Sequence, residues 1–165
     1  MKDNDFYSND FQKNARKSQW YDDVTRNLTK CPFCDLKSKY IILENENAVL
    51  TVNLFPYIDG HLMVIPKRHV EKFTNLQKEE WSSFRKLIDV GIKLINKELK
   101  VENTNILYRE GKKSGMSLKH IHIHVLPITE KFMRYEKQRF VMEFQEINFT
   151  PIEITERLKK AWKKL

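Results

Sequence analysis

The segment Lys119-His120-Ile121-His122-Ile123-His124-Val125-Leu126-Pro127 constrains this chain more than any other. Side chains alternate faces along a strand, so three imidazoles would line one face and Ile121, Ile123 and Val125 the other. Each imidazole carries two polar ring nitrogens that need partners once buried. A sheet that buries the isoleucines must therefore keep the histidine face on a polar site, so one strand sets both a core and a site. All five histidines lie within residues 61–124: His61, His69, His120, His122 and His124. Two chemistries suit such a row. Three imidazoles can hold an open catalytic metal. Alternatively, one neutral ring attacks as a nucleophile while a hydrogen bond holds its other nitrogen. The row alone leaves both open.

The rest of the pattern supplies a sheet for that strand. Residues 40–44 and 48–53 read as two strands, with Asn45-Glu46-Asn47 as the turn between them. A loop over 55–60 follows, containing Pro56 and Asp59-Gly60. His61-Leu62-Met63-Val64-Ile65 is a third strand, 104–109 a fourth and 118–126 a fifth. Over 75–99, Trp81, Phe84, Leu87, Ile88, Ile92, Ile95 and Leu99 recur at helical spacing, with Thr74 and Gln77 as a capping box. Gly91 inside that helix suits close packing on a sheet. Ile154, Leu158, Ala161, Trp162 and Leu165 share a face of a final basic amphipathic helix, expected to pack on its own domain or on a partner copy. Short links between successive strands predict an α+β fold: a five-stranded antiparallel sheet, one long helix between strands three and four, and a C-terminal helix. The expected organisation is a polar N-terminal extension over 1–20 with Phe6, Tyr7, Phe11 and Trp20, a catalytic domain over 21–128, and a C-terminal extension over 129–165. Residues 130–150 show no clear pattern.

Composition excludes several functions. The 165 residues contain four glycines, with no G-x-G-x-x-G and no G-x-x-x-x-G-K-[ST], which removes the common dinucleotide and P-loop sites. No apolar run approaches the roughly 20 residues of a membrane span, and the opening MKDNDFYSND has no apolar stretch expected of a secretory signal. A cytoplasmic protein is expected. The net charge of +8 is compatible with nucleic acid, but the cations are spread along the chain. Gly111-Lys112-Lys113-Ser114-Gly115-Met116-Ser117, just before the histidine row, combines flexible backbone, cations and hydroxyls, as a phosphate-binding loop does. Cys31-Pro32-Phe33-Cys34 has the spacing of half a zinc site, and equally suits a redox pair or two buried thiols.

Two longer stretches carry a resemblance: Asn53-Leu54-Phe55-Pro56-Tyr57-Ile58-Asp59-Gly60-His61-Leu62-Met63-Val64-Ile65-Pro66-Lys67-Arg68-His69, and residues 115–127. Their G-H-x-x-V-x-P-x-x-H and H-φ-H-φ-H-φ-φ patterns, in this order and at this distance, resemble the histidine triad family of nucleotide hydrolases and transferases. The resemblance spans about residues 31–128. It implies a nucleotidyl hydrolase or transferase, paired into a homodimer, that cleaves a phosphoanhydride or phosphoramidate of an adenine-type nucleotide. His122 would attack the α-phosphorus and form a nucleotidyl-histidine. By the same resemblance His124, Ser117 and the backbone near Gly115 contact phosphate, and His61 is a further site histidine. Asn53 meets the ribose, while Leu54 and Ile42 wall the base. The resemblance also implies that Cys31, Cys34, His69 and His120 close a structural zinc site, which leaves His122 and His124 to the phosphate. Two positions depart from the family pattern. Met116 stands where glutamine is frequent, and Arg109 where asparagine is frequent; an arginine there binds an extra phosphate or faces solvent. Two rival readings remain: a zinc-stabilised basic module that binds nucleic acid without turnover, and an enzyme with an open metal on His120, His122 and His124.

Overall fold

The computed structural model describes residues 28–143 and 145–165, so the N-terminal extension over 1–20, its rings and residues 24–27 lie outside the described residues. Strands β1 (Ile41–Glu44), β2 (Ala48–Val52), β3 (Leu62–Pro66), β4 (Thr104–Tyr108) and β5 (Ile123–Pro127) form one antiparallel sheet in the order β1-β2-β3-β5-β4. Helix α1 (Lys78–Leu99) follows β3, and helix α2 (Pro151–Trp162) ends the chain. This is the expected α+β architecture.

Strands β2, β3 and β5 are buried along their whole length. On one face Leu50, Val52, Leu62, Val64, Ile123 and Val125 meet Phe84, Leu87, Leu94 and Ile95 of α1 and Ile154, Leu158 and Ala161 of α2. Gly91 lets α1 approach that closely: a Cβ there would lie 3.3 Å from Leu50 Cδ1. The opposite face carries Thr51, Met63 and His124, with Met63 and Leu107 paired across from His124. Alternation along β5 thus sends its isoleucine and valine to the helices and His124 to the helix-free side.

Several local expectations shift. The fifth strand begins at Ile123, not 118, so His120 and His122 sit on irregular backbone leading into it. Helix α1 begins at Lys78; its N-cap is Gln77, whose backbone N–H donates to Glu80 Oε2 at 2.8 Å, while Thr74 lies in a preceding 3₁₀ turn. Glu80 wins because it is buried and also receives the Arg68 guanidinium at 2.7 Å. Trp81, placed by its spacing on the buried face, is 45% exposed and packs edge-on against Phe73. Residues 133–142 form a hairpin, β6 (Met133–Glu136) with β7 (Arg139–Met142), whose exposed Tyr135 and Phe140 show no buried face to read. Helix α2 packs into the main core, and its start is tied down by a Thr150–Glu153 capping box; Trp162 and Leu165 remain largely exposed. Asp59 also receives the backbone N–H groups of Asn148 and Phe149, which joins this C-terminal region to the β2–β3 loop. No helix among the described residues is long and apolar enough to cross a membrane.

Candidate active site and metal centre

The loop between β2 and β3 is closed by Asn53 N–H donating to His61 O at 2.9 Å, which sets His61 against the end of the histidine row. The backbone N–H of Tyr57 donates to His61 Nδ1 at 3.2 Å. His61 must then carry its proton on Nε2, and it donates that proton to His124 Nδ1 at 2.8 Å. His124 in turn keeps its own proton on Nε2. This chain of two imidazoles makes His124 a hydrogen-bond donor at Nε2. Asn53 Nδ2 contacts the same His61 nitrogen, and Asn53 Oδ1 accepts from Phe55 N–H at 2.8 Å.

His122 is held the opposite way round. Its Nδ1–H donates to the backbone carbonyl of His120 at 3.0 Å, so its Nε2 presents a lone pair. Burial lowers its pKa below the usual histidine value, outweighing the bond to the His120 carbonyl, and the charge of Arg109 lowers it further. The ring is therefore neutral at pH 7. It packs edge to face with His124 at 4.8 Å and with Phe33 at 4.9 Å. Beside it opens a cleft lined by Phe33, Asn53, Leu54, Leu118, His122 and His124 among others.

His120 faces elsewhere. Its Nε2–H donates to Pro66 O at 3.0 Å, and its Nδ1 lies 3.5 Å from Cys31 Sγ and 3.6 Å from Cys34 Sγ. His69 Nδ1 is 3.2 Å from Cys34 Sγ. These four ligand atoms all lie within 4.8 Å of one another. Zinc bonds of about 2.0–2.3 Å in a tetrahedron set ligand separations of about 3.3–3.8 Å, so two thiols and two imidazoles at these distances fit that ion. Burial, then the nearby His69, pulls the His120 pKa down to about 4, which keeps the ring a neutral donor. The Pro66 carbonyl supplies the outer hydrogen bond that fixes a ligating imidazole. Among the described residues this is the cluster able to hold a metal, and it takes only His120 from the row.

The structure thus brings His122, His124, Asn53 and Leu54 together at one cleft, with His61 bonded to His124, and Cys31, Cys34, His69 and His120 together at a separate centre. Ser117 is half-buried, one residue before the cleft-lining Leu118. Gly115 has φ +77°, in the left-handed region where glycine is favoured, and a Cβ there would lie 3.9 Å from Arg109 Nη1. Ile42 departs from its expected place on the base wall and sits in the core. The resemblance placed Ile42 there, and the register of β1 slips between Ile41 and Leu43. Two aromatics were missed. Phe33 meets His120 and His122 by its edge, and Tyr57 packs on His61 at 4.7 Å and on His124 at 6.1 Å. Their signal was position: one lies between the two cysteines, the other in the loop ahead of His61.

Comparison with known proteins adds a family. The model of the HIT (histidine triad) domain matches residues 36–131, a segment that starts after the C-P-F-C turn. An uncharacterized HIT-like protein of Methanocaldococcus jannaschii is 28% identical over 134 residues, covering 79% of this chain and 97% of its own. A bis(5'-adenosyl)-triphosphatase of Dictyostelium discoideum is 29% identical over 96 residues, covering 56% of this chain and 62% of its own. In fold, the chain is similar to a zinc-bound histidine triad family protein of Mycobacterium smegmatis, with a TM-score of 0.61 at 22% identity over 82% of this chain and 98% of the other.

Proposed function

This chain belongs to the histidine triad family, and on that premise we propose that it is a nucleotidyl hydrolase or transferase that works through a covalent adduct on His122. The observation that carries this reading is the state of one ring. His122 is buried and neutral, its Nδ1–H is committed to the His120 carbonyl, and its Nε2 lone pair is at the cleft. That is the arrangement a histidine nucleophile needs.

In the first step the Nε2 lone pair attacks the α-phosphorus of a bound nucleotide. The bond from phosphorus to the leaving atom breaks; a leaving oxygen takes the electron pair and departs as an anion, and a leaving nitrogen takes the pair together with a proton from solvent. Water then attacks the nucleotidyl-histidine, the phosphorus–nitrogen bond breaks, and the mononucleotide departs while a proton passes to solvent. His124 Nε2–H, oriented by His61, donates to a phosphoryl oxygen as charge builds on it; a fixed donor needs no reorganisation at that moment. Ser117 and the backbone around Gly115 take further phosphoryl oxygens, Asn53 meets the ribose, and Leu54 with Phe33 encloses the base. The adenine-type substrate follows from the activity carried by the Dictyostelium relative's name. Cys31, Cys34, His69 and His120 hold zinc, which with four protein ligands is a structural clamp without an open position.

The test uses a dinucleoside polyphosphate carrying label in its α-phosphate. Brief incubation and a denaturing quench at alkaline pH, where the phosphorus–nitrogen bond survives, should trap one labelled mononucleotide on His122, located by peptide mass spectrometry. Full turnover by His122→Asn would refute the mechanism.

A further inference from the structure

Arg109 is the cation of this site that neither the nucleophile nor the metal centre uses. Strand β4 pairs with β5 through Leu107–His124 and Tyr108–Ile123. Arg109 follows the last paired residue of β4, next to the point where His122 leads into β5. The guanidinium is held there from the other side: Nη1 donates to Tyr57 Oη at 2.9 Å, and the group lies 5.6 Å from the centre of the same ring. Tyr57 in turn packs on His61 and His124. The arginine is thus locked against the imidazole cluster rather than free to swing into solvent.

It is also uncompensated. Arg109 is half-buried, and among the described residues no carboxylate pairs with it and Tyr57 is its hydrogen-bond partner. The adjacent carboxylate is occupied elsewhere, because Glu110 accepts from Tyr108 Oη and from Phe73 N–H. A half-buried cation without a counter-charge is stabilised when a ligand supplies the anion. The loop on its other flank is stripped of side-chain bulk at Gly115. A planar guanidinium with several free N–H groups matches phosphate oxygens better than any other side chain.

Resting on the nucleotidyl-transfer reading, we infer that Arg109 binds a phosphate beyond the α-phosphate and selects a phosphoanhydride, such as a nucleoside or dinucleoside polyphosphate, over a phosphoramidate. The chemistry separates the two substrates. When His122 displaces a polyphosphate, the broken phosphorus–oxygen bond leaves its electron pair on an oxygen of the leaving chain, which departs as an anion and needs no proton. A fixed cation stabilises that anion. When the leaving atom is an amine nitrogen, it must gain a proton to depart, and a guanidinium that stays charged cannot give one.

The experiment compares wild type with Arg109→Gln and Arg109→Lys on a diadenosine polyphosphate and on an adenosine 5'-phosphoramidate, alongside calorimetric binding of AMP and ATP. On the polyphosphate, Arg109→Gln should lose about 10–100-fold in kcat/KM, with Arg109→Lys in between. On the phosphoramidate Arg109→Gln should lose at least about tenfold less than on the polyphosphate. In binding, wild type should prefer ATP over AMP by about tenfold and Arg109→Gln should bring the two near parity. Equal losses on both substrates, or an ATP preference that survives the substitution, overturns the role of Arg109. A wild type that turns over neither substrate refutes the nucleotidyl-transfer reading instead, and the AMP–ATP comparison still decides whether Arg109 reads the extra phosphates.

Discussion

His120 and His122 lie two residues apart, both buried and both with lowered pKa, yet they face different chemistry. His120 gives its Nε2–H to the Pro66 carbonyl and turns Nδ1 to two sulfurs; His122 gives its Nδ1–H to the His120 carbonyl and turns Nε2 to the cleft. Burial and titration do not distinguish the two rings. What differs is which nitrogen a backbone carbonyl takes, because that decides which nitrogen keeps its lone pair for use. One extended segment thus divides a row of identical side chains between a structural centre and a reactive one. Phe33 sits edge-on to both rings and marks the boundary.

The sharpest way to break this comparison is to exchange the rings' consequences. His122→Asn should lower nucleotidyl transfer by at least about 10³-fold in a single-turnover assay, because the nucleophile is gone. Its zinc content and melting temperature should match wild type. At the other centre, elemental analysis of the purified chain should find one zinc. Cys31→Ser should lose that zinc and melt at least about 10 °C lower, since a structural ion's binding energy is folding energy. If His122→Asn also sheds zinc, or if Cys31→Ser keeps both zinc and melting temperature, the two rings are not divided as described.

The division was only partly legible in the sequence. The strand pattern and the long helix follow from side-chain alternation and apolar spacing, and the sheet realises them; of the alternating row, Ile123 and His124 lie in β5 while His120 and His122 precede it. His69 and His120 could be grouped with the cysteines through the family resemblance, since spacing alone left a metal on all three rings of the row open. The direction of each imidazole was not readable, because it depends on Pro66 O, His120 O and Tyr57 N–H, and backbone groups leave no trace in residue identity. Ile42, assigned to the base wall by the resemblance, lies in the core beside a slip in register between Ile41 and Leu43 that composition does not record. The β6–β7 hairpin escaped because its exposed strands carry no burial pattern.

A smaller effect sharpens the role of the orienting hydrogen bonds. His61→Ala removes the donor to His124 Nδ1 while leaving His122 bonded to the His120 carbonyl. Turnover should fall by about 10–100-fold, the usual scale for losing an orienting partner. Nitrogen-15 NMR should show His124 protonated on Nε2 in wild type and a mixture of tautomers in the variant. A wild-type ring already mixed would mean that the imidazole chain does not orient His124.

The smallest expected effect concerns the anchor of His69. Arg68 precedes that ligand, and its guanidinium donates to Glu80 Oε1 at 2.9 Å and Oε2 at 2.7 Å, with another N–H on Asn75 O at 3.0 Å. The bonds from Arg68 hold the Glu80 pKa below the usual carboxylate value, against the opposing effect of burial. A carboxylate whose folded pKa is depressed stabilises the fold above its unfolded pKa and loses that contribution as pH falls through the folded value. Glu80→Gln should therefore lower the melting temperature by about 2–4 °C at pH 7, and the gap to wild type should narrow steadily below about pH 4.5. Because Glu80 secures the segment leading to His69 and touches none of the cleft residues, zinc affinity should weaken before nucleotidyl transfer does. A loss of turnover at full zinc occupancy would show that the two centres share this anchor.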